Sequence, residues 1–417
     1  MMMKVTRRDA LGAFLGVPAA MKGATEACPG VIKYTRWDIV AIQDYLRKPQ
    51  TMPPQLPYVL IAAHRALWRD TPENSETAIR LAFSQWEMLE TDLRKAKDST
   101  EEVDLVVTHD PDIFRTTNAI GGLWNYSIEQ LKKAFLLDRY GRKYPGGTCY
   151  PYNKQGMQQL DGGSTQIGQK MLTFRQLLSI QQDFLTGGDA RPYGPIIVMD
   201  VKGAVAADPD FNLPGRGVYR TINLALDVMN DMKSSVGQRR AMIFMVKFNI
   251  LKNVENFLQN VPRYKDYDNE KNPLPPLMLV FNPEDNEYCV GTKCVSEPLQ
   301  NPDFVSWLGC PFLSHFEMNQ YYLGDGCQAY IGALGNFGLG ISTYSENPFF
   351  PEGVWDINQF RLRNTDFSKF PLDLRELPDF TISNNARVRL ITSERPAETD
   401  ALLRPYGLRN IPQGSQR

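Results

Sequence analysis

The sequence predicts an α/β fold in which parallel strands close into a barrel. Three observations point there. First, four short apolar runs end in charged or titratable residues. They are Tyr58–Ala63 before His64-Arg65, Gln85–Leu89 before Glu90-Thr91-Asp92, Asp104–Thr108 before His109-Asp110, and Pro195–Met199 before Asp200-Val201-Lys202. Strand-like runs that end in chemistry suit a parallel barrel, where catalytic groups gather at strand C-termini. Second, strand and helix patterns alternate along the chain, as a parallel sheet requires. Third, the 417 residues show no internal repeat and no second core. One barrel of roughly 250 residues with long insertions accounts for that length.

The elements follow in order. Residues 1–27 read as an export signal. Lys4, Arg7 and Arg8 form a basic region, and Ala10 to Met21 is an apolar stretch too short to span a bilayer. Thr6-Arg7-Arg8-Asp9-Ala10-Leu11 resembles a twin-arginine signal, which places the mature protein in the periplasm or outside the cell. Residues 28–57 form an extension, with a polar helix near Trp37–Arg47 and a Pro-rich linker. The first strand is Tyr58–Ala63. Ser75 caps a helix that runs to about Ser84. Strands follow at Met88–Leu93 and Leu105–His109. Residues 140–170, rich in Gly, Tyr and Gln, read as a cap-like insertion over the barrel mouth. Leu172–Phe184 is a helix and Ile196–Val201 the fourth strand.

The second half carries weaker patterns and long loops. Helices are expected at Val218–Lys233 and Leu251–Asn260, and strands at Ala241–Phe248, Leu277–Phe281, Leu339–Tyr344 and Val388–Thr392. Nothing regular is expected over Glu284–Asp303. The barrel domain thus covers residues 58–410.

Composition narrows the function. Lys and Arg total 46 against 47 Asp and Glu, so no basic excess points to nucleic acid. No segment is long and apolar enough to be a transmembrane span. Aromatic-rich stretches at Tyr140–Tyr152 and Asn347–Trp355 leave contact with a membrane surface open. The six cysteines fit export loosely, with one or two bridges expected among Cys289, Cys294, Cys310 and Cys327. Their spacing matches no standard zinc pattern.

The strand ends carry the chemistry. Glu90 and Asp92 are two apart on a strand and point to one face. Inside a barrel mouth they would repel each other without a positive charge between them. Mg²⁺ or Ca²⁺ fits, since both take oxygen ligands, and Asp200 offers a third carboxylate. Such a cation reverses the local field and lets an anionic substrate approach. Arg65 and Lys202 can hold the substrate's anionic oxygens. His64 and His109 titrate near neutrality, so one can act as general base and the other as general acid. Glu73 and Asn74 lie in the first loop after a strand, where plain turn chemistry also explains them.

The ordered series His64-Arg65, Pro72-Glu73-Asn74, Glu90-x-Asp92, His109-Asp110, Arg115-Thr116-Thr117 and Asp200-x-Lys202 resembles the glycerophosphodiester phosphodiesterase family. Leu172–Leu178 resembles the helix after that family's insertion, and Leu390–Pro396 its closing strand. The resemblance implies a TIM (β/α)8 barrel with an inserted cap and a divalent cation, Mg²⁺ or Ca²⁺, on Glu90, Asp92 and Asp200. It implies catalysis by His64 and His109, and places Arg65, Glu73, Asn74 and Lys202 beside the substrate phosphate. The expected reaction is hydrolysis of glycerophosphodiesters to glycerol phosphate and an alcohol. The chain departs from the pattern at Ala66, where glycine is usual, and at Asp200, where glutamate is usual. It also has Ser342-Thr343-Tyr344 where a tryptophan motif is usual. Two rival readings remain. One is a phospholipase D-like or phosphoinositide-cleaving enzyme acting on intact lipid. The other is an inactive barrel kept as a binding protein.

Overall fold

The computed structural model describes residues 37–38, 41–42, 45–46, 58–68, 71–113, 116–136, 169–184, 195–203, 216–235, 244–249, 253–267, 274–281, 302–319, 334, 337, 339–344, 388–393 and 396–413. Strand β1 is Leu60–Ala63, buried throughout. Helix α1, Glu76–Gln85, starts where expected because the Ser75 side chain accepts from the Ala78 amide at 3.2 Å. Such a cap contributes about 1 kcal/mol. Its buried residues, Ala78, Ile79, Ala82 and Phe83, recur at helical spacing and face the core. Strand β2 is Met88–Arg94. Beyond it lie the short β3, Val106–Val107, helix α2, Phe174–Asp183, and strand β4, Ile196–Val201. Thr173 and Gln176 form a reciprocal capping box at the start of α2, which fixes that boundary. The remaining elements are α3 (Arg216–Ser235), β5 (Phe244–Asn249), α4 (Val254–Asn260), β6 (Leu277–Phe281), β7 (Leu313–Asn319), β8 (Gly340–Tyr344), β9 (Val388–Ser393) and α5 (Pro396–Leu403).

Strand pairing closes the sheet. β1 pairs in parallel with both β2 and β9, β2 pairs with β4, and β4 through β9 pair each with the next. Eight parallel strands therefore form a ring, the TIM-barrel arrangement. Phe316 faces outward, its ring 5.0 Å from that of Phe304 in the short helix Pro302–Val305. Its neighbours His315 and Glu317 face the barrel interior by strand alternation.

Two expectations are corrected. Leu105–His109 is not a barrel strand. Only Val106–Val107 is extended, and it runs antiparallel to the last two residues of β2. The reason lies in the edges of β2. β4 occupies one edge as far as Leu93, whereas β1 pairs with β2 only at Met88 and Leu89. The other edge is open near the mouth, and β3 takes it. Second, β7 was not anticipated, since Ser314, His315 and Glu317 break the apolar pattern expected of a buried strand.

The extension over 28–57 joins the barrel where it is described. Trp37, Ile42, Tyr45 and Leu46 are buried in the main hydrophobic cluster. The Tyr45 hydroxyl donates to the Tyr58 carbonyl, and the Ser314 hydroxyl to the Leu46 carbonyl. These contacts meet β1 and β7 at their N-terminal ends, opposite the chemistry. Lys33–Arg417 forms one compact unit.

The expected insertion lies outside the described residues except for its last positions. There Gln169 accepts from the Leu136 amide at 2.8 Å, and Lys170 bridges Phe135, so the excursion leaves and returns at one place. The expected export signal, residues 282–301 and 345–387, and Cys149, Cys289, Cys294 and Cys327 also lie outside. Cys310 is buried and unbridged, and burial pushes its thiol up to about 12. Among the described residues no helix is long and apolar enough to cross a membrane.

Candidate active site

The site stands at the C-terminal ends of β1, β2 and β4. Glu90 and Asp92 alternate with Thr91 on β2, and the register sets Asp92 directly opposite Asp200 on β4. All three carboxylates are buried, and one ligand oxygen from each lies within 4.8 Å of the others. Three oxygen donors at that spacing suit a hard divalent cation. Glu90 and Asp92 lie on adjacent inward positions of one strand, and Asp200 joins them from the next strand in the ring.

Basic groups surround the carboxylates. Lys202 Nζ lies 2.7 Å from Asp200 Oδ2 and 3.3 Å from Asp92 Oδ1. Arg65 Nε is 3.6 Å from Asp92 Oδ2, and its Nη1 is 3.4 Å from Glu73 Oε1. Burial raises the Asp92 carboxyl, but His109, Lys202 and Arg65 together hold it below the ordinary range. The backbone helps as well. The Arg65 amide donates to Glu90 Oε2 at 3.1 Å, and the turn that permits this puts Arg65 and Ala66 at φ 47° and 62°. Ala66 thus sits in the left-handed region, where glycine carries no steric cost, and its amide is 3.2 Å from the Glu90 carbonyl.

The two histidines approach from different sides. His64 follows β1, its amide held by the Ser393 carbonyl at 2.9 Å, and its Nε2 is 3.8 Å from Glu90 Oε2. His109 comes down toward the mouth along β2, since β3 is antiparallel and Thr108 donates to the Asp92 carbonyl at 3.1 Å. His109 Nδ1 is 2.7 Å from Asp110 Oδ1. A carboxylate accepts, so Nδ1 carries the proton and Nε2 the lone pair.

Glu73 and Asn74 are brought to the site, where they contact its side chains. Asn74, at φ 56°, donates through Nδ2 to Asp92 Oδ2 at 3.3 Å and accepts from Thr91 Oγ1 at 2.8 Å. It positions Asp92, while Glu73 steadies Arg65. Thr117 Oγ1 donates to the Ile113 carbonyl at 2.8 Å, which shapes the loop after His109. Arg115 lies outside the described residues.

Sequence reasoning missed Arg94. Its Nε donates to the His109 carbonyl and its Nη1 to the Gly203 carbonyl at 3.2 Å. It therefore ties the His109 loop to the segment just after Lys202. The signal was present, because Arg94 continues the inward two-residue series Glu90, Asp92 on β2. Glu317 stands outside the predicted trio, as the first alternative ligand should Asp200 not be one. It is fully buried, and its Oε1 accepts from Thr392 Oγ1 at 2.9 Å and Ser342 Oγ at 3.2 Å.

Residues 64–265 match the model of the Glycerophosphoryl diester phosphodiesterase family. That stretch belongs to this family. Homologues in it are phosphoric diester hydrolases. The match runs from His64 past Lys202 and so takes in every carboxylate, histidine and basic group of the predicted site. A glycerophosphodiester phosphodiesterase of Caldanaerobacter subterraneus is 33% identical over 88 residues, which is 21% of this chain and 35% of that one. An uncharacterized protein of Sinorhizobium fredii is 28% identical over 365 residues, 86% of each chain. Among solved structures, a glycerophosphoryl diester phosphodiesterase from Parabacteroides distasonis covers 92% of this chain at 14% identity, with a TM-score of 0.46.

Proposed function

We propose that the protein hydrolyses glycerophosphodiesters to glycerol phosphate and an alcohol. The observation that carries this is the buried trio Glu90, Asp92 and Asp200, with ligand atoms within 4.8 Å, flanked by Arg65, Lys202 and His64. The trio would hold Mg²⁺ or Ca²⁺. When bound, such a cation neutralises the carboxylates and polarises a phosphoryl oxygen. Arg65 and Lys202 bind the other phosphoryl oxygens, Arg65 by its planar fork and Lys202 as a point charge. Asn74 and Glu73 keep Asp92 and Arg65 in place while substrate enters.

The histidines move the protons. A glycerol hydroxyl adjacent to the ester attacks phosphorus and gives up its proton to one histidine. The P–O bond to the alcohol breaks, and the other histidine protonates the departing oxygen. A water then opens the cyclic phosphate, with the two rings in exchanged roles. Asp110, paired with Nδ1, leaves Nε2 of His109 as the atom that takes up or gives the proton in each step.

Activity against cation concentration tests this reading, using a panel of soluble glycerophosphodiesters with and without chelator. The chelator should abolish turnover. Asp200→Ala should raise the cation concentration needed for half activity, with partial rescue at high Mg²⁺ or Ca²⁺, and Asp200→Glu should be milder. An unchanged cation curve for Asp200→Ala removes Asp200 from the metal shell. Turnover of intact phospholipid but not of soluble diesters would favour the lipid-cleaving rival.

Export is inferred from the sequence alone. Changing Arg7 and Arg8 both to Lys should leave precursor in the cytoplasm, and unchanged export would exclude the twin-arginine route.

A further inference from the structure

Among the described residues a further buried carboxylate lines the barrel interior, outside the family-matched stretch: Glu317 on β7. β7 is four strands from β2 in either direction around the ring, so it forms the opposite wall. Height along the barrel follows from the register. Carried from Glu90 through β4, β5 and β6, it reaches β7 below Glu317. Carried through β1, β9 and β8, it arrives above Glu317. Strand tilt makes one path climb and the other descend, so Glu317 stands at the level of Glu90. It faces inward, because Phe316 beside it faces the outer helices.

The side chain is held from two neighbouring strands. Two hydroxyl donors on two different strands, Ser342 on β8 and Thr392 on β9, both reach Oε1. That fixes the carboxyl group's orientation. A carboxylate on this wall cannot bind the phosphate, which it would repel, and the phosphate has its own partners on β1, β2 and β4. What it can accept is a hydroxyl proton. A three-carbon polyol spans roughly 5 Å from its ester oxygen to its far hydroxyl, by ordinary bond lengths. Anchored by its phosphate at the Glu90 wall, it extends toward the Glu317 wall.

We propose that Glu317 is a specificity residue that accepts a hydrogen bond from the glycerol hydroxyl remote from phosphorus. The inference rests on the phosphodiesterase reading above. It assigns the residue that reads the free terminal hydroxyl of the glycerophosphodiester. An acyl ester at that position has no proton to offer and would leave Glu317 facing an acceptor, and a site built for a hydroxyl rejects the analogue that lacks it.

The test uses two diesters that share one leaving alcohol and keep the hydroxyl next to the ester. One is built on glycerol. The other is built on propane-1,2-diol, which lacks only the remote hydroxyl. Wild-type kcat/KM should favour the glycerol diester by about 100-fold, the upper part of the range for a lost charged hydrogen-bond partner. Glu317→Gln should cut that ratio about tenfold, because a neutral acceptor is weaker. Glu317→Ala should bring it near unity. Thermal unfolding and the cation curve are measured alongside. Equal losses on both diesters, or an intact ratio in both variants, would overturn the inference and leave the phosphodiesterase reading standing. A shifted cation curve with an intact ratio would make Glu317 a metal ligand and also overturn it. Wild-type protein inert on both diesters with cation present overturns the phosphodiesterase reading, and this inference with it.

Discussion

His64 and His109 reach one mouth by different means, and this decides what their replacement should do. His64 ends a barrel strand and is buried beside Glu90, whereas His109 sits on a descending segment and is partly exposed. Neither belongs to the hydrophobic core. His64→Ala or His109→Ala should each lower turnover on the order of 10²–10⁴-fold, the usual scale of acid–base catalysis, with little change in unfolding temperature. Asp110→Ala should cost less, since it removes the orientation of His109 and leaves the ring. Single-turnover rates and melting curves for the three variants check this, and near-normal rates from both histidine variants would end the assignment. The clustering of His64, Arg65, Glu90, Asp92, His109, Asp200 and Lys202 was legible because each is of a reactive type at the end of an apolar run. Arg94, Thr91 and Asn74 were harder to see as a set. Their function lies in contacts to Asp92, to one another and to backbone carbonyls far along the chain, which no local spacing encodes.

At the level of elements, legibility followed the hydrophobic pattern. β4 and β6 were anticipated at their observed bounds, because both are continuous apolar runs of strand length. α1 was anticipated from its Ser75 cap, and α2 as a helix over Leu172–Phe184, which the Thr173 cap trims to Phe174–Asp183. β3 misled, since its two buried valines face different clusters, Val107 the main core and Val106 a satellite beside it, without the strand becoming a stave of the barrel. β7 escaped because its inner face is polar: His315 and Glu317 point where aliphatic side chains are expected. His315 gives this strand a measurable signature. It is fully buried, its ring fills the place a side chain at Gly340 would take, and its Nδ1 lies 2.6 Å from the Ser314 hydroxyl. Burial, with the charge of Arg389 adding to it, pushes the imidazole down to about 3 from 6.5. The native ring therefore stays neutral while the unfolded chain takes up a proton below that ordinary value. Its contribution to stability is full above pH 6.5 and is lost as the pH falls toward 3. Urea midpoints should drop on acidification from pH 7 to 5, before most carboxylates titrate. His315→Gln should flatten that slope. Parallel slopes for the two proteins would show that His315 is not the group responsible.

The whole molecule separates stability from chemistry along the barrel axis. The C-terminal mouth holds the carboxylates, histidines and basic groups. The N-terminal end holds the ties that close the ring. Glu87, just before β2, accepts from the Ile61 amide at 2.8 Å and from both Nη atoms of Arg409, at 2.7 and 3.2 Å. Arg409 also donates to the Val59 carbonyl and to Asp400 Oδ1. One buried pair thus joins the segment after α5 to β1 and β2, the seam at which the ring closes. Burial disfavours the Arg409 charge, and the Glu87 and Asp400 carboxylates more than offset that. Breaking a buried pair from one side leaves the other charge uncompensated, at a cost of about 3–5 kcal/mol. Arg409→Met should therefore lower stability by that order, whereas Arg409→Met with Glu87→Gln should recover part of it. Because the seam lies at the end away from the mouth, the folded fraction of Arg409→Met should keep the wild-type KM and cation requirement. Denaturant unfolding and steady-state kinetics at a temperature where the variant is folded separate the two effects. A KM shifted several-fold in the folded protein would mean that the closed end of the barrel controls the geometry of the mouth.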